Sequence, residues 1–252
     1  MIGTNGKYKA VVSSDWSECL SPNGPFDPIS FNYPELATEL SSIFREYTGN
    51  QISLSQAAHR LKGMLPARFT EKQMDAYLEA SFKTYPGVPD LIEWCLSHDI
   101  LFMINTTNTQ AYFQRAFKKG LLPLVPVVAA NPMISFAEAE DDRRYVHEIL
   151  EIEDKPRVTE ALARSLNLPP QKVIVMGDSG GDGPHFQWAA AAGAFLIGVM
   201  TKPSLAAYCR TKGIKVNMTF GVSYAPGEDR NIENEMNVNF MELADVIETA
   251  LL

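Results

Sequence analysis

The chain has 252 residues, of which 46% are hydrophobic and 21% are charged, and its formal net charge is −8. This composition suits one large α/β domain or a core with a smaller inserted domain. Three widely separated cysteines exclude a disulfide framework and a paired-cysteine zinc site. Without a dense basic stripe, a signal-peptide pattern or an apolar run long enough to span a bilayer, we expect a cytoplasmic protein with no nucleic-acid or membrane partner.

The first third of the chain predicts one strand followed by a block of helices. Residues 8–14 form an apolar run typical of a short buried strand, and Asp15 follows it directly. Prolines and glycines in residues 21–34 predict irregular structure. We expect residues 21–85 to form a small inserted all-α domain. Its helical patterns cover about residues 35–47, 53–64 and 70–84, with Ser53 and Thr70 as N-caps of the last two.

From residue 86 onward, strands alternate with helices. Such alternation is typical of a parallel sheet with helices on both faces, so residues 1–20 and 86–252 are predicted to form a Rossmann-like α/β core. For the polar segment 133–152, a hairpin, a second lid and an interface are open alternatives. The predicted strands cover residues 100–104, 125–130, 172–176, 195–200 and 214–220, and the predicted helices cover residues 89–98, 110–119, 158–166, 184–192 and 240–251.

Polar side chains follow several of these strands. In an open parallel sheet, ligands bind beyond the carboxyl ends of the strands. Asp15 follows the first strand, and the polar run 105–107 follows the second. The acidic pair Asp178 and Asp182 follows a later strand, and Lys155 precedes the helix that leads into that strand. Carboxylate oxygens suit Mg²⁺, so we predict a magnesium and phosphoryl site at this edge, with Asp15 as the attacking group.

Four of these segments, taken in order, resemble the motifs of the haloacid-dehalogenase (HAD) superfamily of hydrolases. The resemblance covers nearly the whole chain, and the strand and acidic spacing of the fourth motif are its most specific part. The inserted helical segment is similar to the C1 cap that closes over such sites. The four segments read VVSSDWSECL, LFMINTT, DKPRVTEAL and VIVMGDSGGDG.

The resemblance implies a role for each matching residue. Asp15 becomes the nucleophile that forms an aspartyl-phosphate intermediate, and Lys155 pairs with both the nucleophile and the phosphoryl group. In the second motif, Thr106 bonds a phosphoryl oxygen, and Asn105 is the alternative occupant of that position. The implied ligands of Mg²⁺ are Asp15, the backbone carbonyl of Ser17, Asp178, and Asp182 directly or through water.

Ser17 departs from the pattern of HAD phosphatases, which place a second aspartate there as general acid and base. A serine hydroxyl does not titrate near neutrality, and general acid–base catalysis is commonly worth about 10²–10⁴-fold. The metal ligand survives, because the family takes it from the backbone. Two interpretations follow: a magnesium-dependent phosphatase of a small phosphorylated metabolite, or a catalytically weakened HAD fold that binds a phosphorylated ligand.

A third interpretation is hydrolysis of the C–P bond of a small phosphonate metabolite. Residues 15–17 (Asp-Trp-Ser) resemble the Asp-Trp-Ala of phosphonoacetaldehyde hydrolases, and residues 105–107 (Asn-Thr-Thr) resemble their Ser-Thr-Thr run. That branch needs a cap lysine for a Schiff base, and Lys62 is the candidate, but it usually carries arginine in place of Lys155. This hypothesis ranks below the phosphatase, and dehalogenation, which needs no metal, ranks lower still. The predicted substrate contacts are Trp16, Asn105, Thr107 and Lys62.

Overall fold

The structure is a computed structural model that describes residues 7–137 and 145–251. Its strands are β1 (Ala10–Ser14), β2 (Ile100–Thr109), β3 (Val127–Asn131), β4 (Tyr145–Glu148), β5 (Val173–Gly177), β6 (Phe195–Thr201) and β7 (Met218–Ser223). All pair in parallel in one sheet, in the order β4-β3-β2-β1-β5-β6-β7. The Rossmann-like α/β core predicted from the alternation of strands and helices is confirmed.

The position of β1 decides where the predicted site lies. All five residues of β1 are buried, as expected for a strand with neighbours on both sides. Ser14 is in register with Ile104 on β2 and with Met176 on β5. The Asp15 amide then donates to the Met176 carbonyl at 3.0 Å. Asp15 therefore leaves the sheet between the carboxyl ends of β2 and β5.

Helices pack around the sheet. Among the described residues, no helix is both long enough and apolar enough to cross a bilayer. The helices are α1 (Asp27–Asn32), α2 (Ala37–Thr48), α3 (Leu54–Met64), α4 (Glu71–Ser81), α5 (Val88–Ser97), α6 (Gln110–Lys118), α7 (Asp154–Ser165), α8 (Gly183–Ala192), α9 (Pro203–Lys212), α10 (Ile232–Glu235) and α11 (Leu243–Leu251).

Helices α1 to α4 fall within residues 21–85, which we call the helical block. Ser53 and Thr70 cap α3 and α4 with complete capping boxes, and both predicted N-caps are confirmed. The prediction of irregular structure across residues 21–34 is wrong at α1. Pro28 lies in the first turn of α1, where a missing backbone donor costs nothing, so a proline-rich stretch still forms a short helix.

The helical block lies directly against loops of the core. The Tyr47 hydroxyl on α2 is 3.1 Å from Thr107 Oγ1 at the end of β2. Glu151, which precedes α7, accepts a hydrogen bond from the Leu54 amide at the start of α3, at 3.0 Å. The block thus contacts both the end of β2 and the loop that precedes α7.

Three local predictions differ from the structure. In the polar segment 133–152, β4 pairs in parallel with β3 and is not half of a hairpin; its edge position explains the weak apolar pattern. Residues 138–144 of that segment lie outside the described residues. The last strand begins at Met218, later than predicted, and α9 was not predicted at all.

Candidate active site

Three carboxylates meet at the carboxyl ends of β1 and β5. Ligand oxygens of Asp15, Asp178 and Asp182 all lie within 4.8 Å of one another. The three residues are only 6%, 1% and 1% exposed, respectively. Lys155 Nζ lies 2.6 Å from Asp182 Oδ1 and 3.3 Å from Asp15 Oδ1. The structure thus brings together Asp15, the acidic pair and Lys155, which the sequence assigned to one site.

Neutral hydrogen bonds position Lys155. The Asn105 side-chain amide on β2 donates to the Lys155 carbonyl at 2.9 Å and to Thr159 Oγ1 at 3.0 Å. Thr159 Oγ1 also bonds Ser13 Oγ at 2.8 Å and His185 Nε2 at 2.9 Å. All of these side chains are buried. We call Ser13, Asn105, Thr159 and His185 the Lys155 network, because it fixes the first turn of α7 against the sheet.

The side chains of residues 105–107, at the end of β2, lie in different environments. Asn105 is directed toward α7, where its amide is used by the Lys155 network. Successive strand residues point to opposite sides, and Thr106 Oγ1 accepts the Asn108 backbone amide at 3.2 Å. Thr107 contacts Tyr47 of the helical block. Of the two residues that the sequence left open for the phosphoryl contact, Asn105 uses its amide hydrogens in the Lys155 network, whereas the Thr106 hydroxyl accepts one backbone amide and can still donate its own proton.

Ser17 lies buried beside an amide that sequence reasoning missed. The Asn108 side chain donates to Ser17 Oγ at 3.0 Å, and the two residues are 1% and 7% exposed. Ser17, where HAD phosphatases place an aspartate, is therefore paired with a neutral side chain and not with an acid. The signal in the sequence was slight, since Asn108 follows the polar run at the same strand end.

A second charged group lies on the opposite side of Asp178. Lys202, just before α9, forms ion pairs with Glu18 and with Asp178 Oδ2, the latter at 2.6 Å. Arg230 Nη1 lies 2.7 Å from Glu18 Oε1, and its Nη2 lies 2.5 Å from Glu235 Oε2. We call Glu18, Lys202, Arg230 and Glu235 the Lys202 cluster. Sequence reasoning missed it, because its members are far apart in the chain.

Asp15, Asp178 and Asp182, which we call the acidic cluster, are the candidate carboxylate ligands of the implied Mg²⁺. Neither carboxylate oxygen of Asp178 takes part in a hydrogen bond with the described residues, and the Lys202 contact is an off-axis ion pair. Burial, followed by the charges of Asp182 and Asp15, raises the pKa of Asp178 well above its ordinary value. A buried, unsatisfied carboxylate with like-charged neighbours is suited to a hard divalent cation. The donor set therefore fits Mg²⁺.

The two lysines differ in their electrostatic surroundings. Burial alone would lower the pKa of Lys155, but the charges of Asp15 and Asp182 outweigh it and raise that pKa above its ordinary value. Burial, followed by the neighbouring Arg230, lowers the pKa of Lys202 to about 7. Direct contact with two carboxylates acts in the other direction. We take Lys202 as a cation, because those contacts are the nearest charges to it.

The side chains of two predicted substrate contacts, Trp16 and Lys62, are accounted for by other surroundings. Trp16 is fully buried and packs edge-on against Phe113 at 5.7 Å, so burial in the aromatic core accounts for it. Lys62 is exposed and lines a cavity of about 510 Å³ between the helical block and residues 133–135. No member of the acidic cluster lines that cavity. This position gives the Schiff-base hypothesis no support.

No protein-family model and no curated protein matches the chain, but its fold matches solved structures. A phosphoserine phosphatase, as a phospho-aspartyl intermediate analogue, superposes with a TM-score of 0.68 at 14% identity, over 95% of this chain and 99% of that one. A substrate-bound phosphoserine phosphatase gives 0.67 at 13% identity, over 94% and 97%. A HAD family hydrolase from Salmonella enterica subsp. enterica serovar Typhi gives 0.67 at 16% identity, over 96% and 72%. The chain has the fold of the HAD superfamily hydrolases, as the sequence predicted.

Proposed function

We propose that the protein is a magnesium-dependent phosphatase of a small phosphorylated metabolite that works through an aspartyl-phosphate on Asp15. The observation that carries this proposal is the buried Asp15 carboxylate, which Lys155 contacts and whose ligand oxygen lies within 4.8 Å of those of Asp178 and Asp182. Neighbours of the same fold named as phosphoserine phosphatases support phosphate chemistry. We also propose that the helical block, residues 21–85, acts as a cap over a core of residues 1–20 and 86–252.

The two oxygens of Asp15 are in different environments. Oδ1 accepts the Trp16 backbone amide at 2.8 Å and lies 3.3 Å from Lys155 Nζ. Both contacts are made to the same oxygen, so they hold the carboxylate at Oδ1. Oδ2 makes no contact of this kind with the described residues. We assign Oδ2 as the atom that attacks phosphorus.

Lys155 and Thr106 would bind the phosphoryl oxygens. The ammonium of Lys155 stays charged beside two carboxylates, so it offsets the charge that builds on the phosphoryl group. Thr106 supplies a hydroxyl from the adjacent strand end. Mg²⁺, held by Asp15, Asp178, Asp182 and the Ser17 carbonyl, would supply the remaining positive charge that lets two anions approach each other.

The helical block would exclude water from the reaction. In this conformation Asp15 is 6% exposed, and the Tyr47 to Thr107 contact connects α2 to the strand end beside it. A dry site strengthens the interaction of Lys155 with a bound anion. The buried position of Asp15 therefore supports a cap role for the block.

The test is a panel of phosphomonoesters assayed with Mg²⁺ or with EDTA. We expect magnesium-dependent release of phosphate, and a loss of about 10³-fold or more in Asp15→Asn because the nucleophile is removed. Asp90→Asn, an exposed carboxylate on α5, is the matched control and should act like wild type. Activity that survives Asp15→Asn, or that EDTA leaves unchanged, would refute the proposal.

A further inference from the structure

The position two residues after the nucleophile holds no acid. Ser17 Oγ accepts its hydrogen bond from the Asn108 amide at 3.0 Å, and both side chains are buried. A hydroxyl and a carboxamide do not release a proton near neutral pH. A leaving oxygen on this side of the phosphoryl group therefore meets a neutral hydrogen-bonding surface.

The adjacent carboxylate is directed elsewhere. Glu18 adopts a left-handed backbone conformation with φ of 60°, and its side chain pairs with Arg230 at 2.7 Å and with Lys202. The Glu18 carboxylate is thus held by two cations, and turning it toward Asp15 would break both ion pairs.

The other titratable side chains around Asp15 are also unsuited to protonate a leaving group. The Cys19 thiol is fully buried, and its Sγ lies 3.8 Å from Ser14 Oγ. Burial raises the pKa of the Tyr47 phenol, which bonds Thr107. His185 is kept neutral by burial and by the charge of Lys155, and it bonds Thr159 behind that lysine.

Lys202 is the remaining donor to consider on this side of the site. Its ammonium contacts the carboxylates of Glu18 and Asp178 and lies 5.4 Å from the centre of the Phe44 ring. The ammonium is therefore held in ion pairs with two carboxylates of the protein. This assignment can be tested directly with a Lys202 variant.

We infer that the substrate is a phosphate whose leaving group departs as a stable anion without being protonated: a carboxylate, an enolate or a second phosphate. Acyl phosphates, enol phosphates and phosphoanhydrides fall in this class, and esters of simple alcohols do not. The inference rests on the proposed phosphatase function and narrows it. It follows from two observations. The Ser17–Asn108 pair is neutral, and the charged groups of Glu18 and Lys202 are already held in ion pairs within the protein.

The two half-reactions balance without a protein acid. Asp15 Oδ2 bonds to phosphorus while the bond from phosphorus to the leaving oxygen breaks, and the leaving group takes that electron pair as an anion. Water then attacks phosphorus, the bond to Oδ2 breaks, and Asp15 is recovered as a carboxylate. The water gives one proton to a phosphoryl oxygen, so dihydrogen phosphate is released. Without a base to activate that water, the second half-reaction is the slower one for good leaving groups.

The experiment measures kcat/KM for a series of substituted phenyl phosphates and alkyl phosphates with Mg²⁺. We expect a steep dependence, with kcat/KM falling about five- to tenfold for each unit by which the leaving-group pKa rises, because nothing offsets the charge on the leaving oxygen. Rapid mixing with a reactive phenyl phosphate should give a burst of one phenolate per active site. A shallow dependence, or a steady rate without a burst, would overturn the inference.

Three variants define the origin of the slope. Ser17→Asp should flatten it and raise kcat/KM for alkyl phosphates by about 10²-fold, the low end of general acid catalysis. Ser17→Ala is the matched control and should keep the steep slope, because the hydroxyl is not an acid. A shallow wild-type slope that steepens in Lys202→Met would identify Lys202 as the acid and overturn the inference.

The outcomes separate this inference from the proposed function. Turnover that depends on Asp15 and Mg²⁺ but has a shallow slope would leave the phosphatase standing and remove only the substrate class. Absence of turnover with every phosphate in the series would remove both. If Ser17→Asp fails to fold, the wild-type slope and burst still decide the question.

Discussion

The two sides of the acidic cluster are built by different means. On one side, the Lys155 network consists of neutral side chains whose hydrogen bonds run from 2.8 to 3.3 Å. On the other side, the Lys202 cluster consists of charged side chains that neutralise one another. A neutral buried network fixes geometry and is insensitive to ions, whereas a charged cluster changes as ions bind. The first side therefore positions the reacting groups, and the second is the side whose charge responds to a bound metal.

Of the predictions that test this difference between the two sides, removal of Lys155 should have the largest effect, on the free energy of unfolding. Lys155→Met leaves Asp15 and Asp182 buried without their contacting cation, and we expect the free energy of unfolding to fall by about 3–5 kcal/mol. Urea denaturation at neutral pH without metal would measure it. Lys118→Met, an exposed lysine on α6, is the control. A loss no larger than that of the control would mean that Lys155 does not hold the cluster together.

Removal of Lys202 tests the second side. Lys202→Met takes a cation away from Asp178, so we expect Mn²⁺, used as a spectroscopic substitute for Mg²⁺, to bind about tenfold more tightly. Electron paramagnetic resonance titration without substrate would measure the affinity. Lys212→Met, exposed on the same α9, should leave it unchanged. Weaker binding in Lys202→Met would instead make Lys202 a group that orients Asp178.

The smallest expected effect concerns the pH dependence of stability. Burial, followed by the charge of Lys155, lowers the pKa of His185 well below its ordinary value of 6.5. The unfolded chain therefore binds a proton that the folded chain does not, and stability is lost as pH falls below about 6.5, by at most about 1.4 kcal/mol per pH unit. His185→Gln should lose this component between pH 6.5 and pH 5, measured by thermal unfolding against wild type. Parallel pH profiles would contradict a buried neutral imidazole.

The sequence predicted the parts of the site that depend on the sheet. Asp15 and Asp178 each follow a strand with a clear apolar pattern, and parallel strands bring their carboxyl ends together. Lys155 was expected just before a helix and lies in the first turn of α7. Local pattern therefore sufficed for the nucleophile, the acidic pair and the lysine. The roles assigned to them stay predictions, because proximity shows contact and not chemistry.

The remaining parts of the site depend on packing between distant segments. The choice between Asn105 and Thr106 needed the direction of α7, which no local pattern gives. Glu18 is 184 residues from Lys202 and 212 residues from Arg230, so their ion pairs leave no signal in sequence spacing. Trp16 shows the reverse problem. Its place beside the nucleophile suggested a substrate contact, but the aromatic core around it buries the ring.

The close approach of the helical block to the loop after β5 has a kinetic consequence. A Cβ on Gly180 would lie 2.4 Å from the Thr48 carbonyl oxygen at the end of α2, so only glycine permits this docking. Asp15 is only 6% exposed in the docked arrangement, so in the proposed cap role the block would swing outward before each exchange of ligand. Diffusive motion of a segment this large is damped by the solvent. We therefore expect the overall rate with the most reactive phosphates to fall as sucrose raises the viscosity of the medium.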